Sequence, residues 1–335
     1  MEKANSYKKL SAREAAERII EIKNPVILIH VRPDGDAVGS ASALSLIFRQ
    51  LGYPAPIKSA DKIPARLSFL LEKTETQIAE DTNGYTPVSI DTASPSQLGS
   101  LFETAMPVLM IDHHAVGEQY ADGYIRPDAS SAAEALFDIA RELEDMKKIE
   151  IDSKIAYALY AAISSDTGCF AFSNATPTTH RYAAELMERG INSSDINHRL
   201  FGSKTEAQIK AEGYTASKLK TAFGGRISYA ALSLDEIKSL SLDAEYFETA
   251  IDVVRSVCTA EIAFVIKETE PKKYKASLRS TGADVSKIAS SFGGGGHIRA
   301  AGCSPKAEGV TEACEIILNE SIKILKYEDR KNEKN

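Results

Sequence analysis

The sequence predicts an α/β protein. A doubly wound, mainly parallel sheet domain is followed by a smaller mixed α/β domain, with a cleft between them. Three observations carry this. Over the first half of the chain, short apolar runs of strand length alternate with stretches of helical periodicity, the pattern of a parallel sheet wrapped by helices. Pro and Gly stand at the ends of those stretches, where helices start and stop. Later the order changes to strand, helix, then two strands joined by a short polar turn. At 335 residues the chain exceeds what one small core uses, so two domains are expected, 1–200 and 223–328, joined by a helical linker within 201–222.

Val26–Val31 is an apolar run after Pro25, long enough for a buried strand. Ala37–Leu51 is helical in period and stops at Gly52. Pro87–Ile90 and Pro107–Ile111 are two more buried-strand runs. Between them Ser94–Ala105 opens with Ser then Pro, an N-cap followed by a first-turn proline. Ser130–Glu144 and Asp152–Ser164 read as helices, and Thr176–Arg189 as a third, closed by Gly190. Thr205–Leu219 is polar and Ala-rich with no face for a large core, which suits a connecting helix. Strands are expected at Gly225–Leu232, Glu261–Lys267 and Tyr274–Ser280, the last two forming a hairpin. Helices are expected at Glu245–Cys258, Asp284–Phe292 and Val310–Leu325, with a frayed charged tail beyond.

Composition narrows the function. The net charge is -7, from 40 Lys and Arg against 47 Asp and Glu, which argues against a protein that coats a polyanion with a broad basic surface. The acidic excess lies entirely in the first 200 residues, where 20 cations face 28 acids. Cys169, Cys258, Cys303 and Cys314 form no C-x-x-C pair and read as free thiols of a reducing compartment. No apolar run approaches a membrane span, and the N-terminal stretch lacks the apolar region of a signal peptide. A cytoplasmic protein without membrane partners is expected.

Three predicted strands end in unusual residues. The first runs into His30, then Asp34-Gly35-Asp36; the second ends at Asp91; the third at Asp112-His113-His114. A fourth acid, Asp166, follows a predicted helix, where Gly168 suggests a bend. In an open parallel sheet, ligands bind outside the carboxyl ends of the strands, so these side chains should surround one cleft. Mixed carboxylates and imidazoles suit divalent manganese, iron or zinc. His30, Asp34, Asp36, Asp91, His113 and Asp166 are enough for two ions with one Asp shared, and paired ions suit a phosphoryl displacement. One such residue alone would read as turn or cap chemistry; their co-occurrence points to metal.

The second signal is Ser291–Gly302, with four consecutive glycines before His297. Gly294, Gly295 and Gly296 would let backbone N–H groups approach a phosphate. Ala300-Ala301-Gly302 suits a small-residue helix start facing the same anion. Ser130 has the position of a helix N-cap, Arg299 that of a surface helix charge, and Cys303 that of a small buried residue.

HVRPDGDAVGS, VSIDTASPSQLG, IDHH and ISSDTGCF resemble the four motifs of the DHH phosphoesterase superfamily. SFGGGGHIRAAG resembles the signature of the DHH-associated C-terminal domain, and the likeness runs from about Ala15 to Leu325. It implies two manganese ions, one held by His30, Asp34 and Asp91, the other by Asp36, Asp91, His113 and Asp166. Asp112 would orient a ligand imidazole and His114 would face the phosphate or the attacking water. The same resemblance implies substrate contacts at Arg279 and Ser280 beside Gly294–His297, and at Arg126 and Ser130, the last sharing its N-cap reading. The domain content is similar to the NrnA type, which degrades very short RNAs from the 5′ end and removes the 3′ phosphate of adenosine 3′,5′-bisphosphate (pAp). Some members cleave linear or cyclic diadenylate. Short RNAs and nucleotide bisphosphates are then the expected substrates, and a homodimer through an apolar helix such as Tyr157–Ile163 is conceivable. A sensor that binds a dinucleotide without turnover is the other class to weigh; such a protein has no need of a complete ligand set.

Overall fold

The computed structural model describes residues 7–332 and divides into two compact units, Met1–Ser203 and Lys204–Asn335. The first contains α1 (Ala12–Glu21), β1 (Pro25–Leu28), α2 (Gly35–Gln50), β2 (Ile57–Lys58), α3 (Ser68–Thr74), β3 (Thr86–Ile90), α4 (Leu101–Thr104), β4 (Leu109–Asp112), β5 (Asp122–Ile125), α5 (Ala132–Asp145), α6 (Ser153–Asp166), α7 (Pro177–Glu188) and α8 (Ser193–Asn197). Its five strands are all parallel, in the order β2-β1-β3-β4-β5. Alternation along the strands sends side chains to two layers. Ile27, Val88, Ile90, Leu109 and Ile111 pack with α1, α2, α5 and α6, while Val26, Leu28 and Met110 pack with Leu98, Leu101 and Tyr120. Burial on both faces is why these strands read as continuous apolar runs.

Helix ends follow their capping chemistry. Ser11 and Glu14 form a capping box for α1, Asp34 caps α2, Asp152 caps α6 and Thr176 caps α7. The cap of α5 is Ser131, one residue beyond the predicted Ser130. The helix expected over Ser94–Ala105 is broken into a 3₁₀ turn, Pro95–Leu98, and the single turn of α4, because Gly99 at φ 58° interrupts it. Helix α6 runs two residues further than predicted, so Asp166 is its last residue. Tyr157–Ile163 lies wholly within this unit's core and offers no surface to a second copy, contrary to expectation.

The second unit comprises α9 (Glu206–Ser217), β6 (Lys220–Ala222), β7 (Ile227–Leu232), α10 (Leu234–Ser239), α11 (Ala250–Arg255), β8 (Ile262–Glu270), β9 (Lys273–Ser280), α12 (Val285–Ser290), β10 (Gly295–His297), β11 (Ala300–Cys303) and α13 (Val310–Asn332). Its sheet has the order β10-β11-β9-β8-β7-β6 and is antiparallel except between β7 and β8. One face packs under α12 and α13, the other under α9, α10 and α11. The α9 segment is thus part of the unit: Ala211 and Thr215 are buried against it. The expected helix Glu245–Cys258 is a 3₁₀ turn, Ala244–Phe247, followed by α11. The tail is not frayed as far as Asn332, because Asp329 of α13 accepts from both terminal nitrogens of Arg226 at 2.8 Å.

The helix expected to start at Ala300 is instead strand β11, which pairs with β10 as a hairpin. Glycine is what permits this. A Cβ on Gly294 would lie 2.1 Å from the Gly302 carbonyl oxygen, and one on Gly296, at φ 140°, would lie 2.6 Å from the Ala301 Cα. The glycine run therefore brings two backbones together before it serves any ligand.

In the first unit, helices α2 and α6 make an equally close approach at Gly39, where a Cβ would sit 2.9 Å from both the Ala158 carbonyl oxygen and the Ala162 Cβ. Gly39→Ala should overpack this contact and cost about 1–3 kcal/mol, lowering the midpoint of thermal unfolding by several degrees. An unchanged midpoint would contradict so close a crossing.

Candidate metal centre

Strands β1, β3 and β4 are neighbours, and their carboxyl ends lie at one edge of the sheet. His30 follows β1 by two residues, Asp91 follows β3 directly, Asp112 closes β4, and His113 and His114 come next. Asp34 and Asp36 reach the same edge from the start of α2, and Asp166 from the end of α6. Gly35 makes the last step possible, since a Cβ there would lie 2.1 Å from Ser165 Oγ. Asp91 has the left-handed φ of 55°, a conformation Asp tolerates better than bulkier residues and one common at functional sites.

Asp91 is the hinge of the arrangement. Its Oδ2 lies 3.5 Å from His30 Nε2, which is 3.7 Å from Asp34 Oδ1. Its Oδ1 lies 3.5 Å from His113 Nε2, which is 3.8 Å from Asp36 Oδ2 and 4.0 Å from Asp166 Oδ2. The two oxygens of one carboxylate thus face two clusters, and ligand atoms lie inside 4.8 Å of one another within three overlapping trios: His30, Asp34 and Asp91; Asp36, His113 and Asp166; and Asp91, His113 and His114. These separations are long for hydrogen bonds. They approach the roughly 3.0–3.5 Å between neighbouring ligands that bind one small cation at ~2.1 Å. Both imidazoles present Nε2 inward because Nδ1 faces a carbonyl, that of Val31 at 2.8 Å for His30 and that of Ala129 at 3.4 Å for His113. A carbonyl can only accept, so the Nδ1 tautomer is set and Nε2 is left as the ligand atom.

Asp36 and Asp91 are buried. Burial, then the Asp91 and Asp166 carboxylates, push the pKa of Asp36 well up, while Ser40 Oγ and the N–H groups of Ala132 and Ala133 donate to it and oppose that shift. Burial would also raise Asp91, but its contacts with His113 and His30 outweigh it and hold the group below the ordinary carboxylate range. For His30 and His113, burial is outweighed by the surrounding carboxylates, which raise them to about 11 and about 10. Asp166 is pushed up to about 7, by burial first and then, against the opposing His113, by Asp91 and Asp34. Without a cation, imidazolium groups and a partly protonated carboxyl balance the charge, and a site that must borrow protons in this way fits divalent metal.

His114 is held differently: its Nδ1 lies 2.8 Å from Asp112 Oδ1, and that carboxylate raises its pKa. Asp112 thus orients His114, whereas the ring of His113 is oriented by the Ala129 carbonyl.

The DHH family N-terminal domain matches residues 24–163, and the DHHA1 domain matches residues 239–321. The bifunctional oligoribonuclease and PAP phosphatase NrnA of Thermus thermophilus is 31% identical over 310 residues, 91% of this chain and 92% of that protein. The chain belongs to the DHH family. The NrnA of Bacillus subtilis is 27% identical over 86% of this chain and 91% of its own length. In fold, an exopolyphosphatase-related protein from Bacteroides fragilis superposes with a TM-score of 0.80 at 20% identity, over 93% of this chain and 95% of that one. RecJ from Thermus thermophilus, solved in complex with Mn2+, gives 0.55 at 13% identity, over 93% of this chain and 55% of that chain.

The remaining residues singled out by the DHH resemblance fare unevenly. Arg126 is engaged by Asp128 and by Asp138, which also accepts from Tyr124 and Tyr182, so its guanidinium already has carboxylate partners. Ser130 is buried and donates to Glu134. In the second unit, Arg279 and Ser280 alternate along β9. Ser280 turns toward the loop and donates to the Ala283 carbonyl, while Arg279 lies on the opposite face, paired in register with Ala300. Arg279 is on an interior strand, and Arg299, expected on a helix, lies instead in the two-residue turn between β10 and β11. His297 ends β10 and is exposed. Cys303 is buried as expected, and burial lifts its thiol to about 11.

Two supporting residues went unread. Ser40 steadies Asp36 from one turn along α2, a four-residue spacing visible in the sequence. Asn174 donates to the carbonyls of Ser130 and Asp166 at 3.1 Å, bridging a loop to the last metal-facing acid, and no local pattern announces that.

Metal uptake at pH 7 should release protons, because His30 and His113 hold one each and Asp166 holds a fraction, and each must lose it to ligate. Calorimetric titration with Mn2+ in two buffers of different ionisation enthalpy should report about two protons or more released, with Asp36, whose pKa is pushed well up, adding to those of the imidazoles, and affinity should weaken from pH 8 to pH 6. Affinity independent of pH would overturn this charge assignment.

Proposed function

We propose that the protein is a two-metal phosphoesterase that hydrolyses very short oligoribonucleotides and the 3′ phosphate of pAp, with manganese as its metal. The observation that carries this is the filled set of six ligand side chains at the sheet edge, split by Asp91 into two clusters. His30, Asp34 and Asp91 would hold one ion; Asp36, Asp91, His113 and Asp166 would hold the other. The names of the NrnA relatives support the substrates, and the Mn2+ complex of RecJ supports the metal. No helix among the described residues is long and apolar enough to cross a membrane, and the cysteines are free, which supports a cytoplasmic setting.

Bound divalent cations would stabilise charge on the phosphoryl oxygens and lower the pKa of attacking water. The chain's own groups do the rest. Asp112 fixes His114 by its Nδ1, so the proton that His114 exchanges with substrate is at Nε2. The raised pKa keeps that proton available to a phosphate oxygen or a departing alkoxide near neutral pH. Arg279 and Gly294–His297 would hold a substrate phosphate in the second unit, Arg279 as a charged donor and the glycines as open backbone. Arg126 and Ser130, if they meet substrate, would do so through groups that already have partners in the fold.

A hydrolysis panel of pAp, the dinucleotide pApA, a 5-mer RNA and cyclic diadenylate with Mn2+ decides the substrate. Asp36→Ala and His113→Ala should abolish turnover of every member, and full manganese-dependent activity in either variant would sink the assignment. Asp112→Asn should lower kcat about 10²-fold with Mn2+ affinity unchanged within twofold. Binding of pApA without hydrolysis by the wild-type chain would favour a sensor.

A further inference from the structure

In the second unit, cations near the sheet mostly have carboxylates at hand. Arg226 meets Glu261 and Asp329, Arg255 meets Asp252, Lys272 meets Glu308 and Lys273 meets Glu270. Among the described residues Lys220 and Arg299 have no ion pair, and neither do three cations that share one face of the sheet. Lys267 Nζ reaches only the Ala244 carbonyl, at 3.1 Å, and Arg279 Nη1 reaches only the carbonyl of its neighbour Leu278, at 2.9 Å. The Lys275 side chain has no ion pair or hydrogen bond among the described residues and is exposed. Asp252 and Glu248 act on Arg279 and Lys267 only from beyond ion-pair distance.

Register places these three on one face. Lys267 stands directly opposite Lys275, Val265 opposite Ser277 and Ala263 opposite Arg279. The apolar cluster on this face, built by α9, α10 and α11 over β7 and β8, includes no residue of β9, β10 or β11. Helix α11 also approaches β9, yet on this face of β9 Lys275 is exposed and Ser277 and Arg279 are only half-buried. The floor here is small: Ser277 is paired with Gly302 and Gly302 with Gly295, while Arg279 is paired with Ala300 and Ala300 with His297. Gly295 is informative because nothing in the fold requires it. Its φ is not positive, and a Cβ there would meet no atom within 4 Å, unlike Gly294 and Gly296. What its missing side chain leaves is room above the sheet.

Two like charges directly opposite on an antiparallel pair disfavour the sheet, and burial pulls Lys267 and Arg279 below their ordinary pKa. An anion along the face would relieve both. Residues two apart on a strand are roughly 6.6 Å apart, so Arg279, Ser277 and Lys275 form a row of polar groups at a step that an extended sugar-phosphate chain can follow. We propose that this strip carries the phosphodiester backbone of a single-stranded oligoribonucleotide beyond the nucleotide held at Arg279 and Gly294–His297, with Lys275 and Lys267 contacting later phosphates. The step rests on the substrate reading above and deepens it: the strip sets a preference for oligomers over dinucleotides.

The test is equilibrium binding, by fluorescence anisotropy, of end-labelled pentaribonucleotide and dinucleotide to the full chain, without turnover. Lys275→Ala should weaken pentamer binding about tenfold and reduce the slope of log affinity against log salt by about 1, with the dinucleotide moved less than twofold. Lys275→Glu should weaken the pentamer further, Lys275→Arg should restore it, and Lys267→Gln should act in the same direction as Lys275→Ala. An unchanged thermal midpoint in each variant excludes misfolding as the cause. Equal loss for both lengths, or no loss for the pentamer, would overturn the strip whatever the hydrolysis panel shows. A wild-type chain that hydrolyses nothing but keeps the Lys275-dependent length preference would overturn the phosphoesterase reading and leave the strip standing.

Discussion

The first unit is organised by the need to hold one carboxylate, Asp91, between two imidazoles in a place nearly closed to water. Many features of the fold serve that requirement. The strands are parallel, so their carboxyl ends share an edge, and β3 lies between β1 and β4, so its terminal Asp can face residues from both. Asp91 adopts a left-handed backbone to present its two oxygens in different directions. Helices α2 and α6 cross closely enough, at Gly35 and Gly39, to deliver Asp36 and Asp166 to the second cluster. A buried group of acids is unstable without positive charge. The surrounding residues answer with imidazolium, hydroxyl and helix N-terminal N–H groups, and a divalent cation would replace the borrowed protons directly.

Much of this was legible in the sequence, for a physical reason. Strand-end residues are local: an apolar run fixes where a strand stops, and the next polar residue falls at the sheet edge. His30, Asp91 and Asp112-His113-His114 could be placed that way, and the structure gathers all six proposed ligands at that edge, with Asp166 reaching His113 from the end of α6. Contacts that depend on the crossing of distant segments could not be read. Asn174 reaches Asp166 through a loop, Asp36 accepts from the first N–H groups of α5 nearly a hundred residues away, and Arg126 meets its partner Asp138 across a strand–helix junction. The glycine run shows the same limit. Its composition suits phosphate binding and a tight hairpin equally, and only pairing of Gly295 with Gly302 separates the glycines needed for backbone approach from the one that leaves open space.

The charge distribution takes its meaning from these placements. An acidic chain is a poor general binder of polyanions, and the excess acidity lies in the unit that carries the proposed metal centre. There the acids are concentrated where cations would neutralise them, so they need not repel a phosphate. The second unit is nearly balanced, yet its balance is uneven in space: several cations are spent on carboxylates, while Lys267, Lys275 and Arg279 share one sheet face without them. Under the proposed function, phosphate recognition would be local, through a few cations without carboxylate partners and the groups that would bind metal. A protein built so gains affinity from each phosphate that reaches a defined position and nothing from the rest of a long nucleic acid, which makes short single strands the ligands its electrostatics favour.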